Sequence, residues 1–242
     1  MRWIYLSPHF DDAILSCGGL IWEQVKKKTP VEIWTICAGD AIPGPLSPLA
    51  LECHQQWGYS SAEEVVAARR AENQDAAALV GAETVDFSIA DCIYRRTSTG
   101  NLLYTAEVFG PIHPSDEMLD ADIAAALAGE LLPDDQIVSP LAIGGHIDHI
   151  LTRRAAEKLM RPVWYYADIP YLLNDNKRLP SATKDLLKKL FPITRKGLGY
   201  WQEGIAVYRS QTSMLFEDGD KMKAAISLYW KDQRGIRLWI AS

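Results

Sequence analysis

The chain has 242 residues, 48% of them in the hydrophobic set, and a formal charge of −6 at pH 7. That length and apolar content are enough for one domain with a full core. The acidic balance, with no basic tract to grip a phosphate backbone, argues against nucleic acid as a partner.

No stretch reaches the roughly 18 apolar residues needed to span a bilayer. The apolar run at residues 3–6 is cut short by Ser7-Pro8, too early for a secretory h-region, so a soluble cytoplasmic protein is the expectation. Cys17, Cys37, Cys53 and Cys92 form no C-x-x-C pair. Neither a thiolate zinc site nor a disulfide framework is therefore predicted, and all four read as reduced thiols.

In chain order, residues 3–6 read as a short buried strand. Residues 13–28 repeat apolar positions at helical spacing and end in lysines before Pro30, and 31–37 form a second β-rich run. Composition then turns to Gly, Pro and Ser, which predicts a long loop over about 38–61. A helix over 62–80 closed by Gly81, a strand near 84–87, a helix over 118–132 and a strand over 136–139 ending at Pro140 follow. Beyond Gly144-Gly145-His146-Ile147-Asp148-His149 a helix runs to about Met160, then a strand over 163–166. The tail reads as loops, a helix near 182–190 and a β-like stretch at 204–208. Residues 90–114 carry no clear pattern. The alternation predicts an α/β fold with an open, mainly parallel sheet and helices on both faces.

In such sheets ligands bind beyond the C-terminal strand ends. Two polar clusters fall there, Pro8-His9-Phe10-Asp11-Asp12 and the segment from Gly144 to His149, which together hold three of the five histidines. His9 and Asp12, three apart at a turn entering a helix, can converge on one ion, and His149 supplies a third ligand from the second turn. Two His and one carboxylate leave a coordination position for water, as catalytic zinc requires. Asp11 is then placed to act as base. His146 is placed to hydrogen-bond an oxyanion or donate to a leaving amine, with Asp148 as the partner fixing its tautomer. The plainer readings are that Asp11 or Asp12 caps one helix, that Asp148 caps the next, and that the histidines are satisfied core residues.

These motifs resemble the PIG-L, or LmbE-like, family of zinc-dependent N-acetylglucosaminyl deacetylases, and Arg69-Arg70-Ala71-Glu72 with its alanine-rich continuation to Gly81 is similar to a third family block. The resemblance covers roughly the first 160 residues. It implies a Rossmann-like fold and zinc, with Fe2+ or another divalent ion as the alternative, held by His9, Asp12 and His149. It also implies Asp11 as general base, His146 as assistant to the tetrahedral intermediate and Arg69 as a substrate contact. On this basis the expectation is one deacetylase domain over 1–242, with its motif-bearing part at about 1–168 and a less defined part at 169–242.

The implied substrate is a small N-acetylated, GlcNAc-like sugar conjugate. The aglycone stays open, as does the choice between monomer and homo-oligomer. Phe10, Ala13 and Gly144 depart from the family pattern, and Gly144 leaves only a backbone N–H where some members carry an oxyanion-stabilising tyrosine. His54, Trp57 and Tyr59 on the long loop offer a wall for a sugar ring, against ordinary loop packing. Asp40 offers a carboxylate for a sugar hydroxyl, against a plain turn residue; for Arg69 the alternative is a surface helix residue paired with a glutamate.

Two other functions compete. One is a non-catalytic sugar- or nucleotide-binding module, although G-x-G-x-x-G is missing and Gly18-Gly19 lies inside the first helix, where it would allow close packing on the sheet. The other is a different metallohydrolase, an amidase or esterase. His146-x-Asp148-His149 resembles the end of the metallo-β-lactamase motif, but Gly144 stands where that motif needs a histidine.

Overall fold

A computed structural model describes residues 1–241 of the chain. Short runs of β-branched and aromatic residues form β1 (Trp3–Ser7), β2 (Val31–Thr35), β3 (Glu83–Asp86), β4 (Gln136–Pro140) and β5 (Val163–Tyr166), all parallel. β6 (Leu186–Pro192) and β7 (Gly235–Ala241) complete a seven-stranded sheet in the order β3-β2-β1-β4-β5-β7-β6. β7 runs antiparallel to β5, and β6 antiparallel to β7.

The helices are α1 (Asp12–Lys26), α2 (Pro48–Trp57), α3 (Ala62–Val80), α4 (Leu119–Glu130) and α5 (Ile147–Lys158), then α6 (Tyr171–Asn174), α7 (Leu179–Ala182), α8 (Arg195–Val207), α9 (Arg209–Phe216) and α10 (Gly219–Gln233). Alternation along each strand divides the core. Ile4, Leu6, Trp34 and Ile137 face the side covered by α4 and α5, while Tyr5, Ile33 and Val138 face the side of α1, α8 and α10. Among the described residues, no helix is long and apolar enough to cross a membrane, and all four cysteines are free.

Three expectations about elements are corrected. The loop over 38–61 contains α2, which has its own punctuation: the Ser47 hydroxyl accepts from Ala50 N–H, Pro48 takes the first helical position, and Gly58 closes the helix at φ +82°. The helix expected near 182–190 is mainly strand β6, because Leu186 to Pro192 pair along the whole of β7. Sheet pairing overrides a pattern of leucines and lysines that also fits a helix. The β-like stretch at 204–208 is the last turn of α8, which lies on α1.

That packing explains Gly18 and Gly19. A Cβ on Gly18 would come 2.9 Å from the Trp201 ring, and one on Gly19 3.2 Å from both Trp201 and Ile193. The glycines admit α8 rather than the sheet, which is a further correction. Trp201 Nε1 donates to the carbonyls of Ile14 and Leu15, each at 3.0 Å, so the C-terminal helices brace the helix that begins at the first motif.

Candidate active site

Strand order reverses direction at β1, with β2 on one side and β4 on the other. Both polar clusters leave the C-terminal ends of strands at this switch point, one from β1 into α1 and the other from β4 into α5. The first turn is fixed locally. Ser7 Oγ donates to the His9 carbonyl and accepts from Ala13 N–H, and His9 N–H donates to Asp12 Oδ2 at 2.8 Å.

Asp12 Oδ2 lies 3.3 Å from His9 Nδ1 and 3.3 Å from His149 Nε2. Bonds of about 2.1 Å arranged tetrahedrally place ligand atoms about 3.4 Å apart, so these separations suit a zinc-sized ion. The other ring nitrogens face carboxylates: His9 Nε2 is 3.0 Å from Asp148 Oδ2, and His149 Nδ1 is 2.7 Å from Asp168 Oδ1. A carboxylate behind each imidazole is the usual means of fixing which nitrogen faces a metal. The nearby groups His9–His146–His149, Cys92–His146–Asp148 and His9–Asp91–Asp148 each bring three potential ligand atoms within 4.8 Å of one another. Cys92 is the poorest of these donors, since burial and the Asp148 charge push its thiol well above its ordinary pKa.

Asp148 differs from the sequence reading. Its side chain makes no hydrogen bond to His146; its Oδ2 faces His9 and accepts from Cys92 N–H, and its Oδ1 pairs with Arg95 at 2.6 Å. Its backbone N–H donates to His146 Nδ1, so the N-cap of α5 is His146, not Asp148. An amide N–H can only donate, so this Nδ1 is a lone pair and the neutral ring carries its proton on Nε2. Burial, and then the neighbouring His9 and His149, hold the His146 pKa well below its ordinary value. Asp11 makes no capping bond either, and its carboxylate lies 3.2 Å from the buried guanidinium of Arg69.

Arg69 also faces Asp91 at 3.6 Å and stacks on Trp57, 4.9 Å from the ring centre, so it is a buried site residue rather than a solvated helix charge. Burial raises the Asp11 pKa; Arg69 opposes this and Asp12 adds to it, and the net shift is upward. Burial also works against the Asp12 charge, but His149 and His9 outweigh it and hold that carboxyl well below its ordinary value. For His149, burial lowers the pKa, but Asp12 and Asp168 prevail and lift it to about 9.

A cleft of about 400 Å3 opens above these groups and is lined by His9, Asp11, Asp12, Arg69, His146 and His149 among others. Three expected residues, Asp40, His54 and Tyr59, stand apart from it. Asp40 has a side chain 90% exposed and pairs only loosely with Arg70 at 3.5 Å, and it does not line the cleft, because the chain beyond β2 carries it outward. Of the aromatic wall only Trp57 lines the cleft. His54 is buried on the Tyr94 hydroxyl, and Tyr59 lines a separate surface depression.

Sequence reasoning missed Asp91, Asp168, Arg95 and Tyr171. Asp168 had a usable signal, since it follows the C-terminal end of the parallel strand β5 just as the two motifs follow β1 and β4. Arg95 and Asp91 lie in the patternless 90–114 segment. Tyr171 lines the cleft from α6, and its ring fills the space beside Gly144, where a Cβ would come 2.4 Å from it.

Two imidazoles converging on a carboxylate at the switch point of a parallel sheet, beside a carboxylate of raised pKa, define a metal-dependent hydrolase. Residues 4–160 match the family described as PIG-L, GlcNAc-PI de-N-acetylase. The chain belongs to this family and is an N-deacetylase.

A 2'-N-acetylparomamine deacetylase of Niallia circulans is 26% identical, the match covering 98% of this chain and 92% of that protein. The zinc-inhibited form of teicoplanin deacetylase Orf2 superposes with a TM-score of 0.85 at 24% identity, covering 99% of this chain and 97% of that one. A deacetylase–teicoplanin complex gives 0.81 at 25% identity, over 100% of this chain and 98% of that one.

Proposed function

We propose that this chain removes the acetyl group from the 2-amino position of a GlcNAc-like sugar in a glycoconjugate, with His9, Asp12 and His149 holding zinc or another divalent ion. The observation that carries this reading is the convergence of His9 Nδ1 and His149 Nε2 on Asp12 Oδ2 at 3.3 Å each, with a carboxylate behind each ring. The named activities of the relatives, on N-acetylparomamine and on teicoplanin, agree with it.

The chemistry a divalent ion supplies at such a set is Lewis acidity toward the amide carbonyl and the attacking water. Asp11, with its raised pKa, takes a proton from that water and returns it to the nitrogen as the C–N bond breaks, giving acetate and a free amine. Arg69 holds Asp11 in place. His146, neutral and protonated at Nε2, donates a hydrogen bond to the oxyanion rather than a proton to the amine. Asp148 and Asp168 are positioning residues for His9 and His149. The continuity of β7 and β6 with the parallel strands supports reading 1–242 as one deacetylase domain. We further propose that it acts in the cytoplasm, where four free thiols persist.

The test is acetate release from the β-methyl glycoside of N-acetylglucosamine by protein loaded separately with Zn2+ and Fe2+. Turnover is expected with at least one metal. Asp11→Asn should keep the metal while lowering kcat about 10²–10⁴-fold. His149→Ala should lose the metal, read by mass spectrometry of the purified protein. Metal-loaded protein that releases no acetate from any N-acetylated sugar would overturn the reading.

A further inference from the structure

The cleft has two chemically different ends. Every charged group on its floor has a partner within the protein: Asp11 and Asp91 with Arg69, and Asp12 with His9 and His149. Among the described lining residues outside that floor, Glu52 alone carries a charge. The rest of the mouth is largely apolar, with Leu49 and Trp57 from α2, Phe109 from the 105–112 segment and Met214 from α9.

Phe109 and Met214 are 46% and 43% exposed, although large apolar side chains gain by burial. Phe109 is also held in place. Its segment pairs with His146, Ile147 N–H donates to the Val108 carbonyl at 3.0 Å, and its ring meets the His146 ring edge-on at 5.7 Å. A fixed aromatic edge therefore stands directly beside the reacting centre. The cleft volume of about 400 Å3 lies in the range of cavities that enclose drug-sized ligands.

We infer that the substrate carries an apolar, aromatic aglycone on its N-acetylated sugar, seated between Trp57, Phe109 and Met214, and is not a polycationic aminocyclitol conjugate. The inference rests on the deacetylase reading above and names the substrate class of the same site. A conjugate bearing several ammonium groups needs carboxylates along the mouth to replace its hydration. Glu52 is one carboxylate where several would be required. An aromatic aglycone instead gains from covering the exposed apolar side chains and presents a ring edge or face to Phe109 and Trp57.

The experiment compares kcat/KM for acetate release from three probes: the methyl and phenyl β-glycosides of N-acetylglucosamine, and 2'-N-acetylparomamine as the cationic probe. The phenyl glycoside is expected to exceed both others by about tenfold or more, chiefly through KM, as filling an apolar pocket does. Met214→Lys is expected to shrink the phenyl-to-methyl ratio toward one. Equal values for the phenyl and methyl glycosides, or preference for the cationic probe, would overturn the aglycone assignment while leaving deacetylation standing. No acetate from any of the three would instead remove the deacetylase reading itself.

Discussion

Asp11 and Asp12 are adjacent and equally buried, yet their carboxyls shift in opposite directions. Burial raises both. Asp12 sits between two imidazoles that reverse the effect, whereas Asp11 faces one arginine and the charge of its own neighbour. Environment thus divides a pair of identical side chains into a permanent anion suited to ligation and a more basic carboxylate suited to accepting a proton. The imidazoles depend in turn on what lies behind them. Asp168→Ala removes the acceptor for His149 Nδ1 and is expected to weaken metal binding about 10–100-fold, measured by competition against a chromophoric chelator. Unchanged affinity would show that Asp168 does not position His149.

At the scale of elements, the site rests on α1, and α1 rests on α8. Residues 12–24 of α1 are all buried, because the helix lies over the central strands of the sheet and Trp201 and its neighbours cover the face that would otherwise meet solvent. Trp201 is fully buried and bonded to two α1 carbonyls. Trp201→Ala is expected to lower stability by about 3–5 kcal/mol, read as a shift in urea midpoint at unchanged slope. A loss below about 1 kcal/mol would mean that α8 does not brace α1.

For the whole molecule, the N-terminal ends of β1, β2 and β4 are tied by one residue. Arg2 reaches Glu32 at 2.6 Å and Asp135 at 2.7 Å, from the end of the sheet opposite the cleft. Burial raises the Asp135 pKa, but the Arg2 hydrogen bonds and the Leu132 N–H outweigh it, and the net value lies below the ordinary one. A carboxyl whose folded-state pKa is lowered stabilises the fold above its unfolded-state pKa and loses that contribution as pH falls through the folded-state value. Asp135→Asn is therefore expected to cost about 1–2 kcal/mol at pH 7, with the gap to the unsubstituted protein closing as pH falls below about 4. Thermal unfolding measured at pH 7, 5 and 3.5 checks this, and a gap that stays constant with pH would assign the loss to packing rather than to charge.

The sequence by itself determined the five parallel strands of the sheet and the two polar turns at its switch point, which carry His9, Asp11, Asp12, His146 and His149, because hydrophobic period and strand-end polarity are local properties. Arg69 followed only through a family resemblance, since nothing local distinguishes a buried helix arginine from a solvated one. Tertiary structure alone decided that Asp148 serves His9, that Asp168 serves His149 and that Asp40 stands outside the cleft, since carboxylate partners lie as far as 139 residues apart. It also decided the tail. Residues 186–192 are a strand because β7 offers an edge, and 204–207 continue α8 where Gly204 packs closely on Ile14 of α1 and Val80 of α3. The mouth of the cleft is assembled from α2, the 105–112 segment, α6 and α9, whose local patterns are weak and whose conformations depend on the burial that long-range contacts supply.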